Sequence, residues 1–253
     1  MGSARLLSIG LIALVAGATV LAEDSPLTKE QRSKLENELD TRIQALGERI
    51  AANPKSVTLY SQRGDSRFFR GRFKEAVADY ETMVELDPSL ETSHWRRGIA
   101  YFYAGRTRDA ARQFEIYDTF DDVDRENGIW RYLSQVRAYG REKAREGLLK
   151  YKKDDREPFP SVYKLFSGET TPENILAKIR AADVTAEERE KRLFYAQLYI
   201  GLNHAVEGRD KEAVTHLREA VANSWGPKAG GGPTWMWHVG RLHYEQLADR
   251  NGK

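Results

Sequence analysis

The sequence lacks cysteine altogether among its 253 residues. This absence excludes disulfides, cysteine nucleophiles, thiolate metal sites and lipid attachment to a cysteine. It does not place the protein in a compartment, because an exported protein can also avoid thiols that would oxidise. An excess of one charge is missing as well, since 40 Lys+Arg stand against 38 Asp+Glu. Without a basic face we expect no nucleic-acid partner.

Long hydrophobic runs are scarce, and the single one lies at the N-terminus. Residues 6–21 carry no charge, and Ala22 is followed at once by Glu23 and Asp24. This layout predicts a signal peptide over residues 1–22 and an exported protein, periplasmic or extracellular. The alternative is an uncleaved anchor helix, which would be short for a membrane span. Only in that case do we expect contact with a membrane.

Signatures of metal, cofactor and catalytic sites are also missing. No two of the five histidines have the i, i+4 spacing of a helical zinc site. A calcium loop starting at Asp122 would need glycine and glutamate where Asn127 and Leu133 stand. We therefore predict no metal, no cofactor and no catalytic residue, and we interpret the acidic run 118–126 as a solvated loop between repeats. A catalytic cleft assembled across several helices remains an alternative.

What the sequence does contain is an internal period of 34 residues. Four positions of one copy recur at this spacing: Gly64 and Gly98, Gly71 and Gly105, Ala76 and Ala110, and Tyr80 and Phe114. The same steps return in a third copy: Gly201, Gly208, Ala213 and Leu217. Small residues let two antiparallel helices approach closely, and a glycine in the turn between them can adopt positive φ. A repeat of this length predicts stacked helix pairs.

These residues resemble the tetratricopeptide-repeat (TPR) family. The fold expected from the resemblance is all-α: an antiparallel helix-pair solenoid with a helical insertion and capping helices at both ends. Capping signals at Thr28, Thr171 and Thr185 mark three helix starts. Other helices are expected at about 57–70, 73–86, 90–104, 107–118, 128–138, 141–151, 210–223 and 234–248. After the signal peptide, the segments are predicted as 23–55 (N-terminal cap), 56–120 (two repeats), 121–184 (insertion), 185–225 (a further repeat) and 226–253 (Gly-rich loop and C-terminal cap).

Between residues 57 and 223 the sequence is similar to the NlpI-type periplasmic TPR proteins. The similarity rests on 63–64, 97–106, 130–133, 194–195 and 199–202. It implies an envelope scaffold whose partners are proteins or peptides, among them envelope proteases or peptidoglycan hydrolases. The lipid anchor of that group does not follow, because Ala22 and Glu23 stand where its members have a cysteine.

The groove formed by the first helix of each pair is the predicted partner-binding site. Trp95, Ile99 and Phe102 lie at i, i+4 and i+7 on one helix face, and Phe68 and Asp65 lie on the equivalent helix before it. This stripe either docks a peptide, with Trp95 as an anchor, or packs against another helix of the chain.

Two arginines stand where the general repeat prefers leucine. Arg63 and Arg97 either face an acidic ligand or pair with a carboxylate of their own repeat.

Self-association is left open by the sequence.

Three tryptophans flank the Gly-rich stretch 226–233, which we interpret as a hinge. Trp225, Trp235 and Trp237 either pack the last helix onto the stack or form a sugar-binding cluster. The sequence thus favours a non-catalytic scaffold; the alternatives are an envelope hydrolase and a carbohydrate-binding module.

Overall fold

The computed structural model describes residues 25–251 apart from positions 122 and 154, so the predicted signal peptide lies outside the described residues. Within that part of the chain the secondary structure is α-helix and short 3-10 helix, without strands. In chain order the helices are α1 (Lys29–Ala52), α2 (Val57–Phe69), α3 (Phe73–Leu86), α4 (Trp95–Tyr103), α5 (Thr107–Tyr117), α6 (Arg125–Tyr139), α7 (Arg141–Glu146), α8 (Phe159–Ser167), α9 (Pro172–Ala181), α10 (Ala186–Val206), α11 (Asp210–Ala222) and α12 (Gly231–Asn251).

The helix pairs α2/α3, α4/α5 and α10/α11 are the three copies of the 34-residue pattern. A β-carbon added to Gly64 would stand 2.6 Å from the Tyr80 ring, and one added to Gly98 would stand 2.7 Å from the Phe114 ring. Glycine is therefore the one residue that lets the paired helices close on each other at these positions. The turn glycines also behave as expected, since Gly71 has a φ of +80°. The all-α solenoid is confirmed.

The predicted helix starts are confirmed where a capping side chain defines them. Thr28 and Gln31 form a reciprocal capping box: the Gln31 backbone N–H donates to Thr28 Oγ1 over 3.1 Å, and the Thr28 N–H donates to Gln31 Oε1 over 2.8 Å. Thr171 and Thr185 cap α9 and α10 with their hydroxyls alone, which accept from the backbone N–H groups of Asn174 and Glu188. Each cap provides an acceptor for one N–H that has no partner inside the helix.

Apart from shifts of up to three residues at the ends of α6 and α12, the predictions differ from the structure at three helices. The fourth helix begins at Trp95 rather than near 90, because Pro88–Leu90 form a 3-10 turn and His94 caps the helix. The helix expected to reach 151 ends at Glu146, before Gly147. Helix α8 was not predicted at all. Its buried residues Phe159, Val162 and Phe166 lie at i, i+3 and i+7, a stripe too short to stand out in the sequence.

The two ends of the stack are closed by the long helices α1 and α12. Helix α1 packs on α2 and forms a small separate core from Leu46, Ile50 and Leu59. Helix α12 packs on α11 and returns to contact α2 of the first repeat, so it joins the last repeat to the first. None of the described helices combines the length and the apolar character needed to cross a bilayer.

Candidate functional site

The inner face of the first repeat, where part of the binding groove was predicted, is covered by α12. The Trp235 ring stacks on the Phe68 ring with centroids 4.4 Å apart, and its indole Nε1 donates to Asp65 Oδ1 over 3.1 Å. Phe68 is fully buried beneath these contacts, and Phe102 in the second repeat is fully buried against Tyr103 and Trp130. Neither ring is accessible to a partner in this structure.

Helix α12 is held on this face by polar contacts as well as rings. His238 stacks on Phe69 with centroids 3.9 Å apart, and Tyr103 Oη lies 2.8 Å from His243 Nδ1. Arg241 donates to the backbone carbonyl of Phe69. We call the surface that α12 covers, at Phe68, Phe69 and Tyr103, the terminal-helix face. It is a specific intramolecular interface, since ring stacking and side-chain hydrogen bonds both fix α12 on it.

The two arginines at equivalent repeat positions are engaged inside their own repeats. Arg63 Nη2 donates to Asp79 Oδ1 over 2.7 Å, and Arg97 Nε donates to Gln113 Oε1 over 2.7 Å. Asp79 and Gln113 are themselves 34 residues apart, so one contact recurs in both repeats. The Arg63 guanidinium therefore joins α2 to α3, and the Arg97 guanidinium joins α4 to α5. These contacts favour a structural role inside each repeat over contact with a ligand.

Next to the terminal-helix face lies a cavity of about 420 Å³, open on one side. Of the seven predicted site residues it includes two, Trp95 and Ile99. Trp95 is half-buried at its wall, whereas Ile99 is buried beneath it. We call this space the aromatic cavity; its lining is Trp95, Ile99, Tyr117, Asp124, Glu126, Asn127, Trp130, Arg156, Lys191, Tyr195, Trp225, Gly232, Pro233 and Met236.

Charged side chains form one side of the aromatic cavity. Glu126 accepts hydrogen bonds from the Tyr199 hydroxyl and from Arg156 Nη2, the latter over 2.5 Å. Tyr199 in turn accepts from the Trp130 indole N–H over 3.2 Å. Asp124 caps α6 by accepting from the Glu126 backbone N–H over 2.9 Å. Glu126 is thus fixed from two sides, with 15% of its side chain exposed.

Burial raises the pKa of Glu126 to about 7, because water no longer stabilises the charged form. The Arg156 guanidinium opposes this shift, while the neighbouring Asp124 and Asp155 carboxylates add to it. The pKa of Asp124 is raised for the same first reason, burial. The cavity therefore holds buried carboxylates that take up a proton more readily than usual and that share one cation, Arg156.

The acidic run was interpreted as a solvated loop, and this is wrong for its last part. Asp124 and Glu126 turn inward, because Asp124 caps α6 and places Glu126 in its first turn. The cap signal was present in the sequence, as an aspartate before the apolar stretch Ile129, Trp130 and Leu133. Arg156 and Tyr195, which complete the site, come from the insertion and the third repeat, and no local pattern links them to it.

Two of the three C-terminal tryptophans pack in the hydrophobic core. Trp235 and Trp237 are buried, so neither is free to stack on a sugar. The Gly-rich stretch before α12 is tied down: Gly230 N–H donates to Thr234 Oγ1 over 2.9 Å, and that hydroxyl donates to the Gly226 carbonyl over 3.1 Å. In the described part of the chain no group of histidine, aspartate and glutamate side chains has the geometry of a metal site.

Comparison with known proteins gives one family match. Residues 64–105 match the family model described as TPR repeat. No curated protein matches the chain. The matched segment runs from the helix-contact glycine of the first repeat to the turn glycine of the second, the same positions that the structure places in the helix pairs. The match and the paired helices together support a tetratricopeptide-repeat protein with an all-α solenoid fold.

Proposed function

We propose that the protein is a non-catalytic scaffold of the cell envelope that binds a segment of a partner protein in the aromatic cavity. TPR repeats are protein-interaction modules, which supports the scaffold class. The observation that carries the choice of site is the cavity itself. Its volume, about 420 Å³, lies in the range of sites that enclose a ligand group, and half-buried Trp95 and Trp225 form its walls. Desolvated aromatic side chains are the usual anchors of protein interfaces.

The placement in the envelope is supported by the N-terminal pattern of residues 1–22 and by the similarity to NlpI-type proteins. The same similarity makes envelope proteases and peptidoglycan hydrolases the first partners to test. Export is measured by fusing residues 1–40 to a reporter that is active only outside the cytoplasm. A fusion that stays inactive contradicts the envelope placement and leaves the binding site untouched.

Partner binding is tested by crosslinking pull-down with the chain from Glu23. The Trp225→Ala variant removes a cavity wall, and Tyr139→Ala removes an exposed ring that lies outside the cavity. We expect discrete proteins on the wild type and on Tyr139→Ala, and their loss on Trp225→Ala with unchanged helical circular dichroism. The same proteins on all three chains would contradict the assigned site.

A hydrolase is the second candidate, because Asp124 and Glu126 meet in one cavity and the pKa of Glu126 is raised to about 7 by burial. The hydrogen bonds favour binding over catalysis. Both oxygens of Glu126 already accept bonds, from Tyr199 and Arg156, so the carboxylate is held by the protein and is not free to exchange a proton with a substrate. Release of fragments from peptidoglycan by the wild type, abolished by Glu126→Gln, would reverse this ranking.

A further inference from the structure

The carboxylates beside the aromatic cavity outnumber the cations that they share. Arg156 is the common partner of Glu126, Asp124 and Asp155, at 2.5, 3.5 and 3.3 Å. Asp155 also accepts from the Arg125 backbone N–H, while the Arg125 guanidinium donates to the Lys153 carbonyl and lies over the Tyr151 ring. One guanidinium thus faces three carboxylates that are mostly buried, and like charges held this close repel one another.

The other positive groups near the cavity do not remove the excess. Lys191 pairs with Glu188 on its own helix over 3.0 Å, and Glu188 also holds Arg192. The first turn of α12 borders the cavity at Gly232 and Pro233. A helix N-terminus carries roughly half a positive charge. With its pKa at about 7, Glu126 is about half ionised at neutral pH, so Arg156 and the helix together still leave a net negative charge on the three carboxylates. The site is complementary to an added cation.

The walls of the cavity suit the same kind of ligand. Five aromatic rings line it, and the face of an aromatic ring attracts a cation, with tryptophan the strongest. Arg96, which lies 5.9 Å from the Trp95 ring, shows this attraction within the chain, and its charge is paired with Asp65. Ile99 and Met236 add apolar surface that fits an aliphatic stem.

We propose that the aromatic cavity binds the basic side chain of a partner segment, a lysine or an arginine, with its stem against Met236 and Trp225 and its charged head at Asp124 and Glu126. This inference rests on the proposed function and names the chemistry of its ligand. A neutral or acidic anchor would leave the carboxylates uncompensated and would bury them further from water.

The experiment is a selection of random seven-residue peptides on phage against the immobilised chain from Glu23. We expect enrichment of lysine or arginine at one position. The strongest peptide is then synthesised with that residue and with its neutral isostere, norleucine for lysine or citrulline for arginine. Titration calorimetry is expected to show at least a tenfold weaker Kd for the neutral peptide. Equal affinities would overturn the inference.

A rim glycine provides a matched pair of variants. A side chain at Gly232 meets open space, and its φ is not in the left-handed region, so substitution there leaves the fold intact. Gly232→Lys places a competing ammonium at the cavity, and Gly232→Met adds similar bulk without charge. We expect the basic peptide to bind at least tenfold more weakly to Gly232→Lys and within threefold of wild type to Gly232→Met. Equal weakening in both would show a steric effect and would overturn the charge argument.

The outcomes separate this inference from the proposed function. Peptides that bind without a basic residue, and that lose affinity on Trp225→Ala, contradict the inference and retain the cavity as the binding site. Basic peptides whose affinity is unchanged by both Trp225→Ala and Gly232→Lys bind elsewhere, which overturns the inference. A selection that enriches no peptide contradicts the proposed function and this inference together.

Discussion

The terminal-helix face and the aromatic cavity are neighbouring parts of one inner surface, but α12 covers the first and leaves the second open. On the terminal-helix face, Phe68 and Phe69 are covered by α12, and Asp65 is bonded to the Trp235 indole. In the aromatic cavity, Trp95 and Trp225 remain half-exposed, and the carboxylates lack full compensation. An aromatic stripe at groove spacing is therefore not by itself a binding site; unmet polar and charged groups mark the part left for a partner.

The largest effect that separates the two regions is expected from tryptophan truncation. Trp235→Ala removes a buried ring, its stacking on Phe68 and its hydrogen bond to Asp65, and should lower the free energy of unfolding by about 3–5 kcal/mol. Trp225→Ala removes a half-buried ring and should cost about 1–2 kcal/mol. Urea denaturation of both variants measures the difference. Equal losses would break the distinction between a filled face and an open cavity.

A smaller effect is expected from adding one methyl group at two glycines. Gly98→Ala drives a β-carbon to 2.7 Å from the Phe114 ring in the repeat contact, and overpacking of this kind costs about 1–3 kcal/mol. Gly232→Ala at the cavity meets open space and should leave the free energy of unfolding unchanged within about 0.5 kcal/mol. Thermal unfolding compares the pair. A destabilised Gly232→Ala beside an unaffected Gly98→Ala would contradict the helix packing described above.

The smallest effect appears as a pH dependence with opposite signs in the two regions. Burial lowers the pKa of His243 on α12 to about 3, below the ordinary value of 6.5. Above pH 6.5 this histidine is neutral in both states; below it the unfolded chain takes up the proton and the folded chain does not. At pH 5.5, one unit below the ordinary value, it should therefore remove about 1.4 kcal/mol of stability. His243→Gln should reduce the total loss by this amount, as measured by urea unfolding at pH 7.5 and 5.5, while buried His94 and His238, whose pKa values are also lowered, keep their contributions.

Glu126 supplies the control of opposite sign in the aromatic cavity. Its pKa is raised to about 7 by burial, above the ordinary value of 4.5. The folded chain therefore binds the proton first as the pH falls below 7, and this group gains stability between about pH 7 and 4.5. Glu126→Gln removes this gain. Between pH 7.5 and 5.5 the variant should therefore lose more free energy of unfolding than the wild type does. Equal pH profiles for the two variants would contradict these assignments of charge.

Much of the fold was predictable because the repeat pattern is local. The helix-contact glycines Gly64 and Gly98, and the turn glycines seven residues after each, report a packing distance and a backbone conformation that only glycine meets. Helix α8 escaped prediction, since a nine-residue helix offers too few turns to show a period.

The site was less predictable, because it depends on which distant segments meet. The spacing of Phe68, Trp95 and Phe102 marks an apolar face but does not say what covers it. Trp235, which lies 170 residues after its hydrogen-bond partner Asp65, covers part of that face. The aromatic cavity likewise depends on contacts of Glu126, at the start of α6, with Arg156 and Tyr199, which are distant in the sequence. Such contacts form when the stack of helices closes, and no pattern of neighbouring residues in the sequence predicts them.

Because the aromatic cavity is open with α12 packed on the terminal-helix face, we expect α12 to stay there while a partner occupies the cavity. Because the chain has no cysteine, Phe69→Cys and His238→Cys, whose native rings stack, can be joined by a short thiol-reactive crosslinker that locks α12 in place. The selected peptide is then titrated against the locked and unlocked forms of this double variant. We expect the same Kd for both forms; loss of binding on locking would show that the partner must displace α12, and would contradict binding in the aromatic cavity.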